Sequence, residues 1–408
     1  MRFIWGFLVL VFCGSVSGSA QDSSRFQKSI NTLASPQFSG RGYLKMGHLK
    51  AANFIEKNFK KAGLIPMGKG FKQDVAFPQN LFTAEPLVKV NGRRLRAGLD
   101  FLPAPSCPPV RGNFKLVFLD SAGIVERGRN EIRNFPSEAW VLAVNPSFRR
   151  KVQSQFSPGL WIIQESKLTH SLSQDQNKAP SLVLRNNHFL PTDTVIEVNL
   201  KAVVREVNSQ NVIGMIRGAE RSDSFLVVCA HYDHLGMLGK KIYFPGANDN
   251  ASGTAFLLEL AHWYARHPPK YNLIFIAFTG EEAGLLGSSF FVQNPLFPLS
   301  KIKFLVNLDL LGFGEKGATV VNATLHPEAF DRLKFINETK KYLPEIKSRG
   351  KAANSDHYPF SEVGVPAFFL YTLGGPGFYH DVFDRPETIN LKHFSSNFGL
   401  IRDFLDSF

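Results

Sequence analysis

The chain carries two textures of apolar and polar residues. Beyond about residue 205, short unbroken apolar runs alternate with longer stretches of helical spacing. The runs are Phe225–Ala230, Leu273–Phe278, Phe304–Leu308 and Pro366–Tyr371, and Asn211–Arg217 opens the series. Residues 252–267, 285–293, 327–342 and 391–407 read as the helices among them. Unbroken runs mark strands buried on both faces. Their alternation with amphipathic helices predicts an α/β fold, a mostly parallel central sheet with helices on both faces. Residues 24–63 predict two further helices: Ala51, Ala52, Phe54, Ile55, Phe59 and Ala62 fall at helical spacing and Gly63 stops the second. Between 81 and 204 the texture changes to short β-rich runs such as Leu87–Gly92, Lys115–Leu119, Leu160–Ile163 and Val195–Leu200, set among Pro and polar residues. The expected organisation is one domain built from 21–80 and 205–408, with a β-rich domain, 81–204, inserted in it and carrying no chemical motif of its own.

Chemistry enters at the ends of the runs. His231-Tyr-Asp233 follows the first, Thr279-Gly-Glu281-Glu282 the second, Asp309 the third, and a Gly-rich turn after the fourth delivers Tyr379-His380. Open parallel sheets place their ligand crevice at these carboxyl ends. A lone His or Asp at a strand end is as readily a satisfied core His or a solvated Asp. Five such groups at one edge, His231, Asp249, Glu282, Asp309 and His380, are hard to read that way. Two imidazoles and three carboxylates suit two borderline-hard cations such as zinc. Asp249 lies in Gly246-Ala-Asn-Asp-Asn-Ala-Ser-Gly253, directly before a helix. Asn250 or Ser252 suffices as an N-cap there, so the Asp is free to bridge two cations, one through each oxygen. Adjacent Glu281 and Glu282 repel one another unless a cation lies nearby. One can bind metal while the other acts as general base; the plainer alternative is an acidic helix start. Asp233 is placed to orient His231 from behind, and Asp384 is a candidate to orient His380. Asp356, in Ser355-Asp-His357, either holds a substrate ammonium group or caps the helix that begins at His357.

Composition adds bounds. With 44% hydrophobic and 20% charged residues the chain is an ordinary globular protein. The net charge of +13 is scattered, and clusters such as Arg149-Arg150-Lys151 lack interleaved aromatics, so no nucleic-acid partner is expected. Arg2, the apolar stretch Phe3–Cys13 and Gly18-Ser-Ala20 predict a signal peptide over 1–20, cleaved near Ala20, and a secreted or periplasmic protein with no integral membrane segment afterwards. A lipid-modified Cys13 is the weaker alternative, because bulky Phe12 precedes it. The mature chain keeps Cys107 and Cys229, too few for a disulfide scaffold, with Cys229 expected as a buried free thiol. Asn322-Ala-Thr and Asn337-Glu-Thr fit the glycosylation pattern. There is no His-Glu-x-x-His helix, no phosphate-binding Gly-x-x-x-x-Gly-Lys loop and no nucleophile elbow.

Taken in order and spacing, 231–233, 246–253, 279–288, 307–309, 355–357 and 379–380 resemble the co-catalytic zinc aminopeptidase family, peptidase family M28. Ser39-Gly-Arg-Gly42 is similar to that family's N-terminal start. The resemblance implies a zinc exopeptidase fold of the phosphorylase/hydrolase-like kind. It implies two zinc ions bridged by Asp249, with His231 and Asp309 on one and Glu282 and His380 on the other. It further implies Glu281 as general base, Tyr379 near a developing oxyanion, a cis peptide after Asp249 and a protease-associated-like insertion. The expected activity is removal of N-terminal residues from peptide substrates by an activated water. A carboxypeptidase or dipeptidase on the same metal frame, a single-zinc glutaminyl cyclase-like enzyme and an inactive binding module remain as alternatives.

Overall fold

The computed structural model describes residues 23–129, 133–142 and 146–408; the expected signal segment 1–20, with Cys13, lies outside them. The larger sheet has nine strands. At its centre Asn272–Phe278, Phe225–His231, Ile302–Leu308 and Ala367–Thr372 lie side by side and parallel. Alternate residues on one strand enter different cores. Val228 and Ala230 pack with the helices Ser23–Leu33, Gly47–Ala62, Gly253–Tyr264 and Phe394–Asp406. Val227 and Cys229 pack with Phe291 and Phe360, from the helices Leu286–Gln293 and His357–Glu362 on the other face. Burial on both faces is why these strands carry no polar alternation.

Away from that centre the sheet is less parallel than the pattern of runs predicts. Ala202–Ile216 pairs antiparallel with Asn272–Phe278 and with Lys72–Phe82, and Ala318–Val321 runs antiparallel to Ala367–Thr372. The Lys72–Phe82 and Ala202–Ile216 ribbon leads the chain out to a second sheet and back. Two strands that leave and return at the same place must run in opposite directions.

The second sheet has eight strands, in the order Arg93–Leu95, Leu87–Val90, Val195–Leu200, Val110–Leu119, Asn134–Leu142, Ser157–Glu165, Ser181–Arg185 and Phe101–Pro103. Three of its pairings are parallel. Parallel neighbours need a crossover, and the helices Ser121–Arg129 and Pro146–Gln155 serve two of them, helices that the β-rich texture did not reveal. The core of this sheet, with Val88, Phe101, Leu116 and Ile162, runs on into Leu235, Leu238, Phe244 and Val382, residues beside the strand-end loops of the larger sheet.

Cys107 and Cys229 are both buried and free, the latter as expected. The glycosylation pattern fares otherwise. Asn322 is fully buried and donates to Ser361 Oγ and the Ala367 carbonyl, each at 3.2 Å, and Asn337 is buried and donates to the Leu343 carbonyl at 3.0 Å. Both amides are consumed inside the fold. Among the described residues no helix is long and apolar enough to cross a membrane.

Candidate metal centre

The strand ends bring the predicted groups together. His231, Asp249, Glu281, Asp309, Tyr379 and His380 line one cavity of about 220 Å³, and Glu282 adjoins it through His380. His231 Nε2 stands 3.5 Å from Asp249 Oδ1 and 3.4 Å from Asp309 Oδ1. His380 Nε2 stands 3.1 Å from Asp249 Oδ2 and 3.2 Å from Glu282 Oε2. Asp249 therefore turns one carboxylate oxygen to each imidazole. The peptide that joins it to Asn250 is cis.

These spacings test whether zinc fits. Two donors bound to one tetrahedral zinc at about 2.0–2.1 Å stand roughly 3.3 Å apart, and all four contacts fall within 0.2 Å of that. Buried Asp309 Oδ1 has no hydrogen-bond partner, an orphan that a cation would satisfy. A looser grouping, within 4.8 Å, puts Glu281 with His231 and Asp309, and His234 with Asp249 and Glu282. The shorter contacts favour the division around His231 and His380, because Glu281 is 4.0 Å from His231 Nε2 and His234 Nδ1 is 4.0 Å from Asp249 Oδ1, its close contact being with Glu282.

Electrostatics agree with the fit. Burial opposes charge on both imidazoles, yet Glu281, Asp309 and Asp249 raise His231 well above its usual range, and Glu282 and Asp249 raise His380 to about 11. Burial holds the Glu281 carboxyl far above the normal carboxylate range. The cluster carries more negative charge than its own groups neutralise. Cations that displace the imidazole protons would balance it.

Each group is held by a partner behind it. His231 Nδ1 lies 3.2 Å from the Asp233 carbonyl and His380 Nδ1 lies 2.9 Å from the His170 carbonyl. Carbonyls only accept, so both Nδ1 atoms carry a proton and both Nε2 atoms face the cavity, where a cation would take the place of their protons. Asp233 works mainly elsewhere than expected. Its carboxylate is 3.8 Å from His231 Nδ1, but it accepts the Tyr43 hydroxyl at 2.7 Å and the Glu281 backbone N–H at 3.2 Å. It thereby fixes the turn that carries the two glutamates. Asp384, a candidate to orient His380, instead accepts the backbone N–H groups of Asn248 and Asp249 at 2.8 and 2.9 Å. Asn250 caps the following helix, accepting from the Gly253 N–H at 2.9 Å.

Arg41 secures the same loop from the N-terminal segment. Fully buried, it donates to the carbonyls of Tyr232, Leu33, Pro245, Gly246 and Asp249 at 2.7–3.1 Å. The flanking glycine is required by crowding: a Cβ at Gly42 would meet Gly236 Cα at 2.2 Å. Ser39-Gly-Arg-Gly42 is thus a clamp on the Asp249 loop.

Asp356 departs from both roles read from the sequence. It does not line the cavity, and at the start of the His357–Glu362 helix its side chain makes no cap bond. It is fully buried beside Ser288, and burial pushes its carboxyl up to about 7. Tyr379 is 44% exposed at the cavity mouth, its ring stacked on His380 at 3.9 Å.

Two contributors escaped the sequence reading. His234, three residues after His231, is fully buried and bonds Glu282 Oε1 through Nδ1 at 2.6 Å, which leaves Oε2 for the cavity. Its place in the His-Tyr-Asp-His string was the available signal. The second is a strap, residues 166–176, between the strands Ser157–Glu165 and Ser181–Arg185 of the smaller sheet. Lys167 Nζ donates to the Gly377 carbonyl at 2.8 Å, and Gln174 Nε2 to the Ala283 carbonyl at 3.1 Å. Between them the His170 N–H donates to the His380 carbonyl at 2.8 Å, reciprocating the ring contact. The His170 ring is buried and stacks on Phe244 at 4.9 Å. Nothing in the spacing of those residues announced it.

The model of peptidase family M28 matches residues 211–405. Aminopeptidase YwaD of Bacillus subtilis (strain 168) is 33% identical over 178 residues, 41% of this chain and 36% of that protein. A probable zinc metalloprotease of Pyrenophora teres f. teres (strain 0-1) is 36% identical over 212 residues, 43% of this chain and 44% of that protein. The chain thus spans less than half the length of either relative. Among solved structures, BSAP, a zinc aminopeptidase from Bacillus subtilis, superposes with a TM-score of 0.73 at 20% identity, covering 95% of each chain. An aminopeptidase from Aneurinibacillus sp. strain AM-1 gives 0.65 at 19% identity, covering 94% of this chain and 93% of that one. At such identities the likeness establishes the fold.

Proposed function

We propose that this chain, whose residues 211–405 match the model of peptidase family M28, is a zinc-dependent aminopeptidase that removes N-terminal residues from peptides. His231, Asp309 and one oxygen of Asp249 would hold one ion; His380, Glu282 and the other oxygen would hold a second. Zinc bound there supplies Lewis acidity toward a carbonyl and lowers the pKa of water. Glu281 lines the cavity without sharing the short contacts of the other carboxylates. That position suits a group that takes a proton from the attacking water and returns it to the leaving amine. The Tyr379 hydroxyl, at the mouth, is placed to donate to oxygen as charge develops on it. The acidic lining attracts a substrate's free ammonium terminus. Export rests on the pattern of residues 1–20 alone.

One observation carries the reading: the two oxygens of Asp249 face two different imidazoles at zinc-like spacing. Both halves of the donor set are complete, which favours two ions over a single-zinc cyclase, and an active protein over an inactive binding module. The test is metal counting on purified protein, followed by hydrolysis of matched free, N-blocked and C-blocked peptides. Two zinc ions per chain, with activity lost on blocking the amine, are expected. One ion per chain, or indifference to the N-terminal block, would overturn it.

A further inference from the structure

The cavity wall carries one cationic side chain besides its histidines, Arg349. It follows the strand Ile346–Ser348, and its backbone N–H donates to the Val320 carbonyl at 2.9 Å, which fixes the base of the side chain. Among the described residues its guanidinium enters no ion pair and no hydrogen bond, although Asp249, Glu281 and Asp309 line the same cavity. Asn354, also on the wall, is exposed and likewise makes no side-chain hydrogen bond among the described residues. Leu310, Phe369 and Tyr371 complete that side with apolar surface. A wall with apolar rings, a free guanidinium and a free amide is built for an anionic group on an otherwise apolar ligand. A guanidinium matches a planar carboxylate through paired N–H donors. The cavity is small, about 220 Å³, so a carboxylate held at Arg349 lies close to the reacting end of the substrate.

We propose that Arg349, with Asn354 beside it, receives a free carboxylate of the substrate, so that this site favours short peptides bearing one. The carboxylate is either the C-terminus of a di- or tripeptide or an acidic side chain. The inference rests on the aminopeptidase reading, whose metal and amine requirements are tested separately.

The experiment compares Arg349→Met with the unaltered enzyme, both zinc-loaded, on matched pairs. Ala-Leu against Ala-Leu-amide probes the terminal carboxylate, and Ala-Glu-amide against Ala-Gln-amide the side chain. The readout is the acid-to-neutral ratio of kcat/KM. A charge-assisted contact predicts a ratio that falls about 10-fold in the variant, through KM, in at least one pair. The pair that responds identifies the source of the carboxylate. Calorimetric binding of Ala-Leu and Ala-Leu-amide to Glu281→Gln, with and without Arg349→Met, asks the same question without turnover. A failure of the enzymatic reading therefore leaves this test standing. Ratios and binding preferences unchanged by the substitution in every pair would overturn the proposal, leaving Arg349 a solvated surface charge.

Discussion

Replacing His170 with alanine should loosen one of the two proposed metal ions and spare the other. The imidazole is buried against Phe244, its neutral form enforced by burial, which pushes its pKa down to about 3. Removing it frees the strap whose carbonyl accepts from His380 Nδ1 at 2.9 Å and whose N–H donates to the His380 carbonyl at 2.8 Å. Partners of this kind are worth about 10–100-fold in metal affinity, or about 1.4–2.8 kcal/mol. Only the ion proposed between His380 and Glu282 depends on that contact. His231 draws its support from the Asp233 carbonyl at 3.2 Å. The assay is stepwise competition of zinc between the protein and a chromophoric chelator, which resolves two affinities. Large-to-small loss in a core also costs roughly 2–4 kcal/mol of stability, so chemical denaturation of the same variant is measured alongside. His170→Phe is the control. It keeps a stacked ring, and His170 Nδ1 has no partner to lose, so both affinities should return. Two unchanged affinities in His170→Ala, or two that fall together, would refute the asymmetry and with it the positioning role of the strap.

Glu281→Gln should keep both ions and lose about 10²–10⁴ in turnover; comparable kcat values would remove Glu281 from the role of base. Chelation should abolish activity and lower the thermal midpoint, and zinc at about 100 times its Kd should restore about 2.7 kcal/mol, read by calorimetric scans with and without metal. Arg41→Met should cost at least about 3 kcal/mol in denaturant unfolding, because it withdraws the guanidinium that five buried carbonyls share, of which Gly246 keeps the Ala251 N–H. A loss below about 1 kcal/mol would show that water replaces it.

The sequence by itself determined the central layers of the fold and marked out the candidate metal-binding groups. Unbroken apolar runs such as Phe225–Ala230 can be satisfied only by burial on both faces, and the structure splits Val227 and Val228 between two cores accordingly. The polar candidates stood out because they interrupt that apolar text at fixed places, where strands must end. The helices at Gly253–Tyr264, Leu286–Gln293, Pro327–Lys340 and Phe394–Asp406 were legible for a similar reason: periodicity is local. Tertiary structure decided what depends on contacts distant along the chain. Asp233, Asp384 and Asp356 were each read from a neighbour in sequence, and each is governed by something else: Tyr43, the backbone of Asn248, and a burial that no local pattern encodes. The antiparallel flanks follow from where the second sheet leaves and rejoins the first, and the strap reaches His380 across 210 residues. A carbonyl that orients a ligand belongs to the backbone, which every residue shares. Only the folding that brings His170 to His380 gives it a role.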